Sequence, residues 1–156
     1  MPVITISPDG KESVVWAGGD MEPVRKNAMR KTEDIVSSLF SNDRDYNYAR
    51  NKITETLRYF PGDSDVRSLY RYHANAALER SRHSETTFMP SAKHISYLSD
   101  HGLWVAEITG TFVQTRNGAQ TGKKMRVSVA YRKTSMEERN STEQALIADK
   151  MEVIQL

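Results

Sequence analysis

The feature that most constrains this chain is a change in the spacing of its apolar residues near the middle of the sequence. Before that point apolar side chains recur every three or four residues, as in amphipathic helices. After it they alternate with polar side chains, as in a sheet with one buried face. Because the two patterns are segregated along the chain, the sequence predicts an α+β fold, with three N-terminal helices packed on a curved antiparallel sheet.

The first half contains three predicted helices. The first covers about 21–41. Residues 41–43 are predicted to end it and to cap the start of the second helix. The second helix ends at Pro61, and Ser64 lies in the capping pair that starts the third. The third helix runs to the polar cluster that begins at Arg80.

The second half predicts an antiparallel meander. Residues 86–98, broken by Pro90, indicate one short and one longer strand, and residues 103–114 indicate a long strand. The pair 117–118, Asn-Gly, is a hairpin signal because both residues tolerate positive φ. A further strand follows, and the mixed apolar run 145–156 could form a last strand. The side chains expected to face the helices are almost all apolar: Trp104, Ala106, Ile108, Gly110, Phe112, Met125, Val127, Val129 and Tyr131.

Composition limits the classes of function. The 156 residues suit one domain, which we place at 20–156 after an extended N-terminal arm at 1–19. The 22 Lys and Arg residues nearly balance the 20 Asp and Glu residues, so no whole-protein field favours nucleic acid. The chain has no Cys, which excludes disulfides, thiol nucleophiles and cysteine-based metal sites.

No motif with catalytic or cofactor-binding chemistry is present. The four His residues lack the spacing of a helical metal site, and no Ser lies in a nucleophile elbow. The segment 118–124 is similar to a phosphate-binding loop, but it is one residue short and lies between two strands. We therefore expect no catalytic residue, no metal and no cofactor.

Five short segments and their order resemble a known family. They are the arm at 3–8, Tyr59-Phe60-Pro61-Gly62, the helix at 76–78 leading to Thr87-Phe88-Met89-Pro90, the strand at 105–112, and Val129-Ala130-Tyr131-Arg132. Together they resemble the TraE family of conjugative type IV secretion proteins, which are relatives of the eighth VirB component. The likeness covers roughly residues 3–133, and the charged segment 135–150 fits the family less well.

The resemblance implies a fold, a location and a role. The fold is nuclear-transport-factor-two-like, a cystatin-like cone, and the domain lies in the periplasm of a bacterium. Members of the family have a short cytoplasmic tail and one membrane helix before this domain, so we expect an anchor in the inner membrane. The implied role is that of a non-catalytic scaffold, which contacts itself and other secretion subunits and is monomeric or weakly dimeric as a soluble fragment.

A scaffold acts through its surface, so we name candidate contact residues. They are the basic residues of the first helix, two arginines one turn apart on the third helix, and the polar face of the central strands: Arg25, Lys26, Arg30, Lys31, Arg67, Arg71, Glu107, Thr109, Thr111 and Arg126. The alternative function is a small-ligand-binding or enzymatic domain of the same cone-shaped fold. That alternative requires a polar cavity beneath Trp104 and Tyr131. Cations of the third helix and the hairpin could also contact nucleic acid, but direct nucleic-acid binding is not expected.

Overall fold

Helices occupy the first half of the chain in a computed structural model, which describes residues 2–6, 12–16, 22–138 and 144–156. Helix α1 spans Glu22–Phe40, α2 spans Tyr46–Thr56 and α3 spans Asp65–Ser81. A 3-10 turn at Leu57–Tyr59 continues α2. The three predicted helices are therefore confirmed.

The start of α2 differs from the predicted one. Its cap is Asp45, whose side chain accepts a hydrogen bond from the backbone N–H of Tyr48 at 3.0 Å. The predicted cap region, 41–43, instead contacts the sheet through Asn42. The backbone of Asn42 exchanges two hydrogen bonds with Thr86, at 3.0 and 2.9 Å, which ties the end of α1 to the sheet. By contrast, Ser64 caps α3 as predicted and accepts from the N–H of Arg67.

The second half forms the antiparallel meander that alternation predicts. Two short N-terminal strands, β1 (Pro2–Ile6) and β2 (Glu12–Trp16), pair as a separate two-stranded sheet. The larger sheet has the order β3-β4-β5-β6, with every neighbouring pair antiparallel. Its strands are β3 (Glu85–Leu98), β4 (Leu103–Arg116), β5 (Ala119–Lys133) and β6 (Leu146–Gln155). The last strand is thus present, whereas the division into arm and domain stays a prediction.

Pro90 does not break its strand, contrary to the prediction. β3 is continuous, and its register against β4 shifts between Pro90 and Ala92. A proline is tolerated here because β3 is an edge strand, where a missing N–H need not remove a ladder hydrogen bond. The Asn-Gly hairpin is confirmed, since Asn117 and Gly118 have φ values of 52° and 81°.

The core lies between the sheet and α1. Seven of the nine residues predicted to face the helices are no more than 8% exposed: Trp104, Ala106, Ile108, Phe112, Val127, Val129 and Tyr131. Gly110 is also buried, and Met125 is half-buried against the core. Ile35 and Leu39 of α1 are fully buried in the same cluster. The predicted inward face of the sheet is therefore confirmed.

Two tyrosine hydroxyls fix α1 against its neighbours. The hydroxyls of Thr32 and Tyr131 lie 2.7 Å apart, and those of Ser38 and Tyr70 lie 2.7 Å apart. All four side chains are fully buried. Burial raises the pKa of Tyr70 to about 12 and also raises the pKa of Tyr131. The hydroxyls therefore stay protonated and act as hydrogen-bonding groups between α1, β5 and α3.

A double-mutant cycle on Thr32→Val and Tyr131→Phe should give a coupling energy of about 1 kcal/mol, because either single change removes the hydrogen bond between the two buried hydroxyls. Thr32→Val leaves the Tyr131 hydroxyl without a partner among the described residues, whereas Tyr131→Phe leaves Thr32 its bond to the Ala28 carbonyl oxygen at 2.8 Å. Equilibrium unfolding in urea of the four proteins measures this coupling. The control cycle pairs Thr32→Val with Tyr70→Phe, whose hydroxyls make separate bonds, and should give a coupling near zero. Equal coupling in both cycles would contradict a specific bond between Thr32 and Tyr131.

Candidate interaction surfaces

The basic residues predicted for α1 separate into two groups. Arg25, Lys26 and Arg30 are exposed. Lys31 is not, and its predicted place on the exposed side of the helix is wrong: the residue is 1% exposed. Lys31 follows Ala28 by three residues and precedes Ile35 by four, so it shares their buried side of the helix. That spacing was visible in the sequence and outweighs the charge of the side chain.

Buried Lys31 joins two distant parts of the chain. Its Nζ donates a hydrogen bond to the carbonyl oxygen of Leu146 at 2.5 Å and lies 5.3 Å from the ring centroid of Tyr59. The Tyr59 hydroxyl in turn donates to Asp34 at 2.7 Å. Burial, and secondly the charge of Arg30, lower the pKa of Lys31 to about 8. This lysine holds the start of β6 against α1 rather than presenting a charge to a partner.

The predicted polar face of the central strands lies on the side of the sheet away from α1, and we call it the outer sheet face. Glu107, Thr109, Thr111 and Arg126 are all half-buried there. The hydroxyl of Ser128 donates to Glu107 at 3.0 Å. Arg126 stands opposite Thr109 in the register of β4 and β5. Its Nε is buried and has no hydrogen-bond acceptor among the described residues.

The two predicted arginines of α3 lie on one open cleft of about 960 Å³, together with Arg58. We call Arg58, Arg67 and Arg71 the arginine cleft. Nη1 of Arg67 donates to the carbonyl oxygens of Leu57 and Phe60, at 2.9 and 3.4 Å. Arg58 and Arg71 are exposed. Arg58 was not among the predicted contact residues because it lies in a different element, the 3-10 turn that precedes α3.

A second groove, of about 470 Å³, lies between the start of α3 and the strands β4–β6. Its lining includes Val66, Leu69, Val105, Ala130 and Met151 and is mainly apolar. Leu69 is 37% exposed there. No sequence signal marked this groove, because Val105 and Ala130 lie on the strand face that alternation assigns to solvent.

The titratable side chains considered for acid–base chemistry or metal binding lie apart from one another in the described structure. His73 is half-buried beside the ring of Tyr72, and burial together with Arg80 lowers its pKa. Asp100 and His101 are exposed in the turn between β3 and β4. Within the described ranges, no three His, Asp or Glu side chains are grouped so that they could hold a metal ion. Among the same residues, no helix is long and apolar enough to cross a membrane.

Comparison with known proteins gives matches by structure only. No family model and no curated protein sequence matches the chain. CagV, a VirB8 homolog of the type IV secretion system of Helicobacter pylori, matches with a TM-score of 0.60 and 12% identity, covering 85% of this chain and 97% of CagV. A periplasmic fragment of TraM matches with a TM-score of 0.60 and 13% identity, covering 85% and 98%. TraE, solved with 2-(2-furyl)isonicotinic acid, matches with a TM-score of 0.59 and 13% identity, covering 84% and 96%.

The chain has a VirB8-like fold. The resemblance to TraE and to the relatives of the eighth VirB component is thereby confirmed in three dimensions, as is the α+β class. The TM-scores of 0.59–0.60 establish a shared fold, although only 12–13% of the residues are identical. In this VirB8-like fold the face of the sheet toward the helices is occupied by packed side chains. Among the described residues, the surfaces open to other molecules include the exposed side of α1, the outer sheet face and the two clefts along α3.

Proposed function

We propose that the chain is a non-catalytic structural subunit of a bacterial conjugative type IV secretion system. In this proposal it belongs to the inner-membrane complex, its domain faces the periplasm, and it acts in DNA transfer through protein–protein contacts. The observation that carries the proposal is the VirB8-like fold, which extends over 84–85% of the chain. Almost the full length of each solved chain is covered as well, and the solved TraM chain is a periplasmic fragment.

The packing of the sheet supports a non-catalytic role. An enzyme or ligand-binding protein of this shape needs a cavity with polar groups that converge on a ligand. Here Trp104 is 6% exposed and Tyr131 is fully buried. The Tyr131 hydroxyl is already paired with Thr32, at 2.7 Å. This packing argues against the alternative of a small-ligand-binding or enzymatic domain.

Contacts with other secretion subunits and with further copies of the chain would use the outside of the domain. The candidates are the exposed residues Arg25, Lys26 and Arg30 of α1, and the outer sheet face. On that face, Arg126 is half-buried and stands opposite Thr109 of the neighbouring strand. Confinement at a membrane raises the effective concentration of subunits, so weak contacts suffice for assembly. The isolated domain is then monomeric or weakly dimeric.

Deletion of the coding sequence in the native host tests the proposal. We expect conjugative transfer to fall to the level of a donor that lacks a transfer apparatus, and expression of the wild-type protein to restore it. The protein should also co-purify from crosslinked inner membranes with other secretion subunits. Undiminished transfer after deletion, with no secretion subunit crosslinked, would contradict the proposed role.

A point variant tests the surface of α1. Arg30→Glu reverses an exposed charge and should weaken crosslinking to its partner about tenfold, since like charges at an interface oppose association. The matched control is Arg116→Glu, which makes the same change at an exposed position at the end of β4. Both variants should unfold at the wild-type denaturant concentration. Equal crosslinking by the two variants would remove Arg30 from the interface.

A further inference from the structure

The arginine cleft combines positive side chains from two elements that are joined by a short connection. Arg58 lies in the 3-10 turn, and Arg67 and Arg71 lie one helical turn apart on α3. All three line one cavity of about 960 Å³. Ile147 of β6 lines the same cavity from the sheet. The cleft is therefore a concave surface between helix and sheet rather than a set of separate surface charges.

Arg67 is fixed within this cleft by the backbone. Its Nη1 donates to two carbonyl oxygens, those of Leu57 and Phe60, at 2.9 and 3.4 Å. Its other donor groups, Nε and Nη2, have no acceptor in the described part of the chain. A guanidinium held in this way is pre-organised, so binding an anion costs little side-chain entropy.

Within the part of the chain that the structure describes, the positive charge of the cleft is incompletely neutralised. Glu138 also lines it, but both carboxylate oxygens of Glu138 bind Arg132, at 2.6 and 2.8 Å. That pairing holds the pKa of Glu138 near 2. In the described ranges the Arg71 side chain makes no hydrogen bond and no ion pair, and the same is true of the Asp63 carboxylate at the rim. Among the described lining residues, the three arginines thus meet one carboxylate, that of Asp63, that is not already engaged.

The remaining lining indicates which anion fits. Pro61 is half-buried and adds apolar surface beside the arginines, over the buried side chains of Phe60 and Ile147. Phe60 is 3% exposed and stacks on Tyr70 with ring centroids 4.6 Å apart, so it offers no face on which a nucleobase could stack. Arginine binds carboxylates through two parallel hydrogen bonds, and the apolar surface suits aliphatic side chains between them.

We propose that the arginine cleft binds an acidic segment of a partner protein, in which Asp or Glu residues alternate with apolar residues. The carboxylates pair with Arg58, Arg67 and Arg71, and the apolar side chains lie beside Pro61, the partly exposed apolar residue of the lining. This inference rests on the proposed function in one respect, namely that the domain works by docking other proteins. It adds a place on the surface and a chemistry for one of those partners.

Fluorescence anisotropy with a labelled peptide of alternating Glu and Leu tests the site. We expect saturable binding at low salt that weakens as salt is added, since it depends on exposed charges. Arg71→Ala and Arg58→Ala should each raise the Kd about tenfold, as expected for loss of one charged contact. The matched control is Arg116→Ala, at an exposed arginine that does not line the cleft, and it should bind as the wild type does. Arg67 is left unchanged because it also holds two backbone carbonyls.

Three comparisons could overturn the inference. A peptide with Gln in place of Glu that binds equally well would show that the carboxylates are not recognised. Unlabelled oligo-thymidine or inorganic phosphate is added at the same concentration of negative charges as an unlabelled peptide competitor. Displacement of the labelled peptide to the same extent would show that the cleft binds anions in general. Wild-type affinity in both cleft variants would place binding elsewhere. If the peptide fails to bind while deletion of the coding sequence still abolishes conjugative transfer, this inference fails and the proposed function stands. If the peptide binds while transfer is undiminished by the deletion, the proposed function fails and the binding site stands.

Discussion

Gly110→Ala is expected to lower the free energy of unfolding by about 3 kcal/mol, because the position has no room for a single methyl group. Gly110 lies in β4 on the face toward the helices, directly opposite Pro90 of β3. A Cβ at this position would lie 2.7 and 2.8 Å from two ring carbons of Phe88, and it would also overlap the carbonyl oxygen of Met89. The added methyl group would fit only if the Met89 carbonyl oxygen and the Phe88 ring both moved away.

The ring of Phe88 cannot simply turn away. Phe88 is 8% exposed, and its ring lies 6.0 Å from the ring of Phe40, which in turn contacts Phe112 at 5.0 Å. A shift of Phe88 would therefore disturb the packing of α1 on the sheet. Because packed interiors have few voids, the overlap is expected to displace the edge strand β3 as well.

Urea unfolding of wild type and variant measures the effect, with Gly122→Ala as the matched control. Gly122 lies in β5, and a Cβ there would meet only Thr111 Cγ2 at 3.5 Å, an ordinary contact. The control should stay within about 0.5 kcal/mol of the wild type. If the two alanine variants unfold at the same urea concentration, the close approach of Phe88 to Gly110 is not a constraint on the fold.

The contrast between these glycines shows what periodicity can predict. Alternation assigned Gly110 to the buried face correctly, because the side-chain direction in a strand repeats every two residues. It carried no information on the distance to Phe88, which depends on how β3 curves past its bulge. The same limit applied to β6. Three successive residues, Leu146, Ile147 and Ala148, are buried there, and the register to β5 shifts next to Tyr131, so no clean alternation was present.

The interaction surfaces were less predictable than the fold, for a related reason. A charged residue in a sequence carries no mark of its burial unless its neighbours at helical spacing are considered, as Lys31 shows. Arg67 and Arg71 were grouped correctly because they lie on one helix. Arg58 joins them only through the tertiary packing of the 3-10 turn against α3. The candidate contact residues on α1 and on the outer sheet face stay predictions, because partner contacts depend on a second molecule.

Lys31→Met is expected to raise the free energy of unfolding at pH 7 by about 1 kcal/mol. The wild type buries an ammonium group that has no carboxylate in contact with it among the described residues, and removing a buried charge is favourable when the replacement has a similar volume. The variant loses the hydrogen bond to the Leu146 carbonyl, which offsets part of that gain. The matched control is Lys26→Met, which removes an exposed lysine from the same helix and should leave the stability within about 0.5 kcal/mol of the wild type.

The advantage of the variant should disappear as the pH rises. The pKa of Lys31 is about 8 in the folded protein against an ordinary value of 10.5. Between these two values the unfolded chain keeps a proton that the folded chain has released, so a rise in pH favours the folded state. From pH 7 to pH 9.5 the wild type should gain about 2 kcal/mol relative to Lys31→Met. The Lys26→Met variant should follow the wild type over this interval.

Unfolding curves in urea at several pH values between 6.5 and 9.5 measure this difference. The interval ends below pH 10 because burial raises the pKa of Tyr59 and Tyr70 to about 12. Above pH 10 these tyrosines would ionise first in the unfolded chain and lower the stability of every variant alike. A constant difference between wild type and Lys31→Met across the interval would mean that Lys31 keeps its proton in the folded protein. In that case its charge would have to be compensated by a group other than the Leu146 carbonyl and the Tyr59 ring.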